Sequence, residues 1–389
     1  MKERLWTKDF IFIMLINFLV FSNHFMIVPS FPFYIESRGG SEAIAGMIAT
    51  LFSFIAVISR PVFGWLLDRG NRKTLLLLGI FLMGLTTLSY MAAVSLTVLF
   101  LLRMINGMGL SCATTSSTTF TSDVVPGKRF AEGMGMFGMA VTLATALAPS
   151  AGIALMQKSG FSTLFSTSAG CMAAALILFV FLRSKKIPVN RMPFQIRTMF
   201  ESNALPASTV ILLFMMTFGA IENFIAKFAV SAGLPGGSYF IFMSVAIIFT
   251  RIFLSRVADK RGEALFVYMG NLSMFAALII LACNVNMLTF IISALLSGFG
   301  FGGLEPALLS MAISTVAPER RGAANSTFFC AYDIGIGFGG GMAGYLISYS
   351  GYGSMFISMA LANAVSILIY LFWAKNHSSA FRNMHGNKN

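Results

Sequence analysis

Gly64-Trp65-Leu66-Leu67-Asp68-Arg69-Gly70-Asn71-Arg72-Lys73 is a charged break between two apolar runs centred near Phe54 and Leu85. Each run is about 20 residues long, the length an α-helix needs to cross a hydrocarbon core about 30 Å thick. The same unit recurs. Further apolar runs centre near Phe18, Gly109, Leu143, Ala173, Phe214, Ile247, Ala276, Leu296, Gly337 and Asn363, for about twelve spans in all.

Hydrophobic residues fill 57% of the 389 positions and charged residues 11%, with a mean hydropathy of +0.81, so the bilayer is the solvent. Lipid admits only helices and closed barrels. The alternating ten-residue pattern of a barrel is missing, which leaves an all-α integral membrane protein. The net charge of +13 would point to nucleic acid in a soluble chain. Here it follows topology.

Lys2, Arg4, Lys8, Arg69, Arg72, Lys73, Lys128, Arg129, Arg183, Lys185, Lys186, Arg191, Arg197, Arg256, Lys260, Arg261, Arg320, Arg321, Lys375, Arg382 and Lys388 share one side with both termini, against Arg38 and Lys158 in the opposite loops. By the positive-inside rule that side is cytoplasmic, and no nucleic-acid partner is expected. Trp6, Trp65 and Trp373 fall at the same helix ends, where an indole bridges headgroup and hydrocarbon. The segment from Phe10 to Tyr34 is too long for a signal peptide and reads as a helix. Cys112, Cys171, Cys283 and Cys330 have no metal-ligand spacing and read as packing residues, so neither metal nor cofactor is expected.

The chain repeats itself. Arg60 matches Arg251, Asp68 matches Asp259, Gly107 and Gly109 match Gly298 and Gly300, Ser159-Gly160 matches Ser350-Gly351, and Phe165 matches Phe356, each pair 191 residues apart. Residues 183–205, basic and holding Pro188 and Pro193, read as a cytoplasmic linker between six-helix bundles at 1–182 and 206–389. Parallel repeats of this kind, with a solute site near the midplane between them, describe one large class of secondary transporter.

The Gly64–Lys73 loop resembles the signature loop of the major facilitator superfamily, with Asn71 where that pattern has its second glycine. Ser255-Arg256-Val257-Ala258-Asp259-Lys260-Arg261-Gly262 is its second-half copy. The resemblance implies twelve transmembrane helices in two pseudo-symmetric bundles. It also implies a cytoplasmic gate drawn from Gly64, Asp68, Arg69, Arg72, Asp259, Arg60 and Arg251, in which Asp68 can favour a helix N-terminus and arginines can bridge the halves. Arg103-Met104-Ile105-Asn106-Gly107-Met108-Gly109 resembles the family's fourth-helix motif, whose arginine serves coupling in proton-driven members. Ala148-Pro149-Ser150-Ala151-Gly152 looks like the fifth-helix motif of drug and proton antiporters, with alanine and Ile153 replacing two of its glycines. Pro29-Ser30-Phe31-Pro32-Phe33-Tyr34 is similar to the two-proline segment of twelve-helix drug exporters.

A charge at membrane depth is costly and marks function or a permanent pair. Glu222 is the first expected proton carrier and Asp333 the second, with Arg103 and His24 as partners in coupling. Asn23, Asn106, Asn223 and Glu305 are the expected substrate contacts. Lys227 lies near enough to the outer end to snorkel.

These readings predict a proton-coupled exporter of a small amphipathic solute, a drug or a metabolite such as a metallophore, with import of a sugar or organic acid as the alternative. The carboxylates favour lipophilic cations, whereas Arg103, His24 and Lys227 suit an anion or zwitterion. No nucleotide loop, metal-ligand helix or nucleophile-base set supports an enzyme. The expected setting is a bacterial inner membrane, the partners are solute, protons and lipid, and the expected state is a monomer.

Overall fold

The computed structural model describes residues 5–69, 72–93, 95–126, 129–183, 200–253, 263–283, 285–316 and 320–375. Among these residues nine helical segments are long and apolar enough to cross a membrane, and Ser238–Ile252 is a shorter apolar helix. Two of the nine, Glu132–Val180 and Arg321–Ala374, hold 49 and 54 residues, enough for two crossings each. Counting those twice and adding the short helix gives twelve.

In chain order these are α1 (Lys8–Ile27, continued by a 3-10 turn Val28–Ser30 and a short helix Phe31–Ser37), α2 (Glu42–Asp68), α3 (Arg72–Ser89) and α4 (Leu96–Val124). The bent helix Phe130–Val180 supplies α5 (130–159) and α6 (161–180). Then follow α7 (Leu205–Ser231), α8 (Ser238–Phe253), α9 (Glu263–Cys283) and α10 (Met287–Ser314). The second bent helix, Arg321–Ile369, supplies α11 (321–350) and α12 (352–369).

Local chemistry sets several of the starts. Thr7 accepts a hydrogen bond from Phe10 N at the head of α1 and Ser95 one from Val98 N at the head of α4. Asn286 forms a reciprocal capping box with Thr289 at α10. Ile177, Val180, Leu272, Leu361 and Phe372 are more than half exposed, as lipid-facing side chains must be.

The chain forms two compact units, Met1–Gly40 with Leu51–Phe194, and Ser41–Thr50 with Gln195–Asn389. Their interiors repeat one another contact by contact. In the first, a Cβ on Gly107 would lie 2.7 Å from the Phe52 carbonyl, and in the second a Cβ on Gly298 would strike the Met243 carbonyl. Gly109 abuts Met83 as Gly300 abuts Met274, and Gly79 abuts Ala113 as Gly270 abuts Leu304. Both members of every pair shift by 191 positions. The Ser-Gly pairs acquire a role too, since Gly160 (φ 80°, ψ 177°) and Gly351 (φ 80°, ψ 178°) are the bends within the two double helices. Nothing lies within 4 Å of a Cβ at either, so glycine is there for its positive φ rather than for space.

In the second unit α7 lies directly on α11. A Cβ on Gly335 would meet the Leu212 carbonyl, one on Gly339 the Met216 carbonyl, and one on Gly219 the Ile336 carbonyl. Small residues at four-residue spacing allow this approach where lipid supplies no hydrophobic drive between helices.

The entry to α7 is tied to the start of α11. Arg320 Nε donates to Glu201 Oε2 at 2.8 Å, Arg320 Nη2 to the Phe200 carbonyl at 2.8 Å, and Glu201 N to Thr327 Oγ1 at 2.9 Å. The Arg320 hydrogen bond holds the Glu201 carboxyl below its ordinary value of 4.5. A depressed carboxylate pKa contributes stability that is present above the unfolded value and is lost as pH falls through the folded one. The thermal unfolding midpoint of the purified protein should therefore drop below about pH 4.5, and part of that drop should vanish in Glu201→Gln. Identical pH profiles for the two proteins would refute the linkage.

Candidate functional site

In the first unit Arg103 sits on α4 and is only 3% exposed, so it does not snorkel. Its Nη1 donates to Asn106 Oδ1 at 3.3 Å, one helical turn on, and Asn106 Nδ2 donates to Thr86 Oγ1 on α3 at 2.8 Å. The guanidinium carbon lies 4.6 Å from the Phe31 ring centre and 4.4 Å from that of Phe52. His24 on α1 stacks on the same Phe52 ring at 5.3 Å and 16°. Each cation–π contact is worth up to about 2 kcal/mol when dry. Burying an ion costs several kcal/mol. The rings position Arg103 and offset part of that cost, and no carboxylate among the described residues neutralises it.

In the second unit four helices bring charge to one place. The Tyr332 hydroxyl on α11 is in electrostatic range of Glu305 on α10, Glu222 on α7, Asp333 on α11 and Arg251 on α8. Arg251 Nη2 donates to Glu305 Oε2 at 2.6 Å. A residue expected at the gate and one expected at the solute site thus form a single ion pair. Tyr332 was not foreseen, and its only sequence signal is a phenol beside Asp333 in an otherwise apolar run.

Other expected residues lie elsewhere. Asn23 is fully buried and donates to Thr87 Oγ1 (3.2 Å), Ser168 O (3.0 Å) and Ser168 Oγ (2.9 Å), while Ser168 Oγ donates back to the Asn23 carbonyl. It bolts α1 to α3 and α6. Asn223 donates to the Gly219 carbonyl of its own helix at 2.8 Å, and Gly340 lies against its amide. Lys227 reaches the head of α2. Its Nζ meets Glu42 Oε1 at 2.7 Å, inside the second unit.

Around the signature loop, the Arg69 guanidinium lies 3.9 Å over the Trp65 ring, and Arg72 pairs with Asp123 at the end of α4. Gly64 has open space beside it, and Arg60 is partly buried on α2. Asp259 and the Asp68 side chain lie outside the described residues. Asp123, the partner of Arg72, is not among the residues expected there. It is the sole carboxylate between Asp68 and Glu132, which is the signal that could have found it.

The family profile described as Major Facilitator Superfamily matches residues 13–283 and 244–387. The chain belongs to the major facilitator superfamily. It is 26% identical over 381 residues to the uncharacterised MFS-type transporter YhhS of Escherichia coli (strain K12), covering 93% of this chain and 91% of the relative. It is 23% identical over 338 residues to the quinolone resistance protein NorA of Staphylococcus aureus (strain COL), covering 82% and 85%. Among solved structures, a POT family transporter with a bound peptide conjugate superposes with a TM-score of 0.80 at 14% identity, covering 95% of this chain and 96% of the other. The nucleoside transporter NupG gives 0.74 at 15%, covering 97% and 99%. This superfamily member is an integral membrane transporter and not an enzyme.

Within that superfamily scaffold Asn23 has a testable structural part. Asn23→Ala leaves buried partners on two helices unsatisfied, at about 1–3 kcal/mol. It should lower the unfolding midpoint measured in detergent without changing the apparent affinity for any transported solute. An unchanged midpoint with weakened solute binding would return Asn23 to the solute site.

Proposed function

We propose that this chain is a proton-coupled exporter of a small amphipathic solute, working by alternating access in a bacterial inner membrane with both termini cytoplasmic. The observation that carries the reading is that Glu222, Asp333 and Glu305, from three helices, all act on the buried Tyr332 hydroxyl. Such a group can hold a proton in one state of the transport cycle and release it in another. The likeness to NorA and the Pro149 segment of α5 support the outward direction.

The test uses the purified full chain in proteoliposomes with an acidic interior. An antiporter should accumulate ethidium or an aromatic acid inside while an entrapped pH dye reports proton loss in step. A pH gradient that neither drives nor is dissipated by any solute of the panel would remove the coupling, and accumulation together with inward proton movement would make it a symporter.

A further inference from the structure

The first unit holds a buried polar feature of its own. Arg103 is buried, and its Nε has no hydrogen-bond partner. The hydroxyl of Tyr90 lies within hydrogen-bonding reach of that guanidinium with its own proton still to donate, and Nδ1 of His24 lacks a partner. Phe31 and Phe52 lie against the guanidinium and Asn106 takes Nη1, so the Nε side of the fork is the direction in which it can still donate. A guanidinium edge is shaped for two parallel hydrogen bonds to a carboxylate, and a phenol can supply a third. The buried aromatic rings of Phe31, Phe52 and Tyr90 make the surroundings of the guanidinium apolar.

From this geometry we infer that Arg103, with Tyr90, is the recognition site for a carboxylate on the transported solute, whose flat apolar part lies against the neighbouring rings. The assignment rests on the transporter reading and narrows its substrate class to organic acids and zwitterions bearing a ring or other planar group. Lipophilic cations without an acid group fall outside it.

Matched pairs that differ in charge alone test the assignment: indole-3-acetate against indole-3-acetamide, and benzoate against benzamide. Binding to the purified full chain is read by competition with tritiated indole-3-acetate, and transport by uptake into proteoliposomes. The acids should bind at least about tenfold more tightly than their amides, a preference equal to about 1.4 kcal/mol. Arg103→Gln should abolish that preference and Arg103→Lys should keep part of it. Tyr90→Phe should reduce it, and unfolding midpoints should confirm that each variant is folded. Equal binding of acid and amide, binding of neither, or a preference that survives Arg103→Gln would overturn the assignment. Selective acid binding without any response to a pH gradient would leave it standing and remove proton coupling instead.

Discussion

Glu222→Gln is expected to cut pH-gradient-driven flux by about 100-fold, a loss of about 2.7 kcal/mol of coupling, while solute binding changes less than about threefold. The reasoning starts from charge. Glu305 is matched by Arg251 at 2.6 Å, so its carboxylate is already balanced. Glu222 and Asp333 are the other two carboxylates that act on the Tyr332 hydroxyl, and they are the proposed carriers. Glutamine keeps the shape and hydrogen-bonding reach of Glu222 but cannot titrate, so it separates proton handling from packing. Asp333→Asn should show the same pattern with a smaller loss, about tenfold. The measurement is flux against applied pH gradient in proteoliposomes, paired with equilibrium binding. Normal gradient-driven flux in both variants would show that the proton travels by another route.

The second large effect is structural. Gly339→Ala should destabilise the second unit by about 1–3 kcal/mol, the usual cost of overpacking, and Gly339→Leu by more. The obstacle is the Met216 carbonyl, which belongs to the backbone of α7 and cannot swing aside as a side-chain tip could. At about 2–4 °C per kcal/mol for a unit of this size, the alanine variant should unfold visibly earlier in detergent. Gly353→Ala is the control, because nothing lies within 4 Å of a Cβ there. Equal midpoints for Gly339→Ala and Gly353→Ala would mean that α7 and α11 are not in close backbone contact.

The sequence was most readable where lipid leaves no choice. Runs of about 20 apolar residues must be helices, and the 191-residue offset was visible in glycines because close helix approach tolerates little else. Arg103, Glu222 and Asp333 stood out because a charge in an apolar run is expensive. Their neighbours did not. Phe52, Thr86, Tyr90 and Tyr332 are ordinary residues of apolar helices, and only tertiary packing brings them beside a charge. Asn23 shows the opposite difficulty, since an amide in a membrane helix can serve a solute or a neighbouring helix, and composition does not separate the two. Glu305 and Arg251 were each read alone, whereas their pairing depends on how α8 meets α10, which no local pattern encodes.

Gly160 and Gly351 each turn the chain back with a single non-helical residue, so neither junction carries a loop long enough to serve as a handle. A reporter tag, protease site or nanobody epitope inserted at either point would have to force apart two helices separated by one residue. Engineers seeking a foothold on this transporter are better served by the hydrogen-bonded turn around Gly233, between α7 and α8, where the backbone already departs from the helix over several residues.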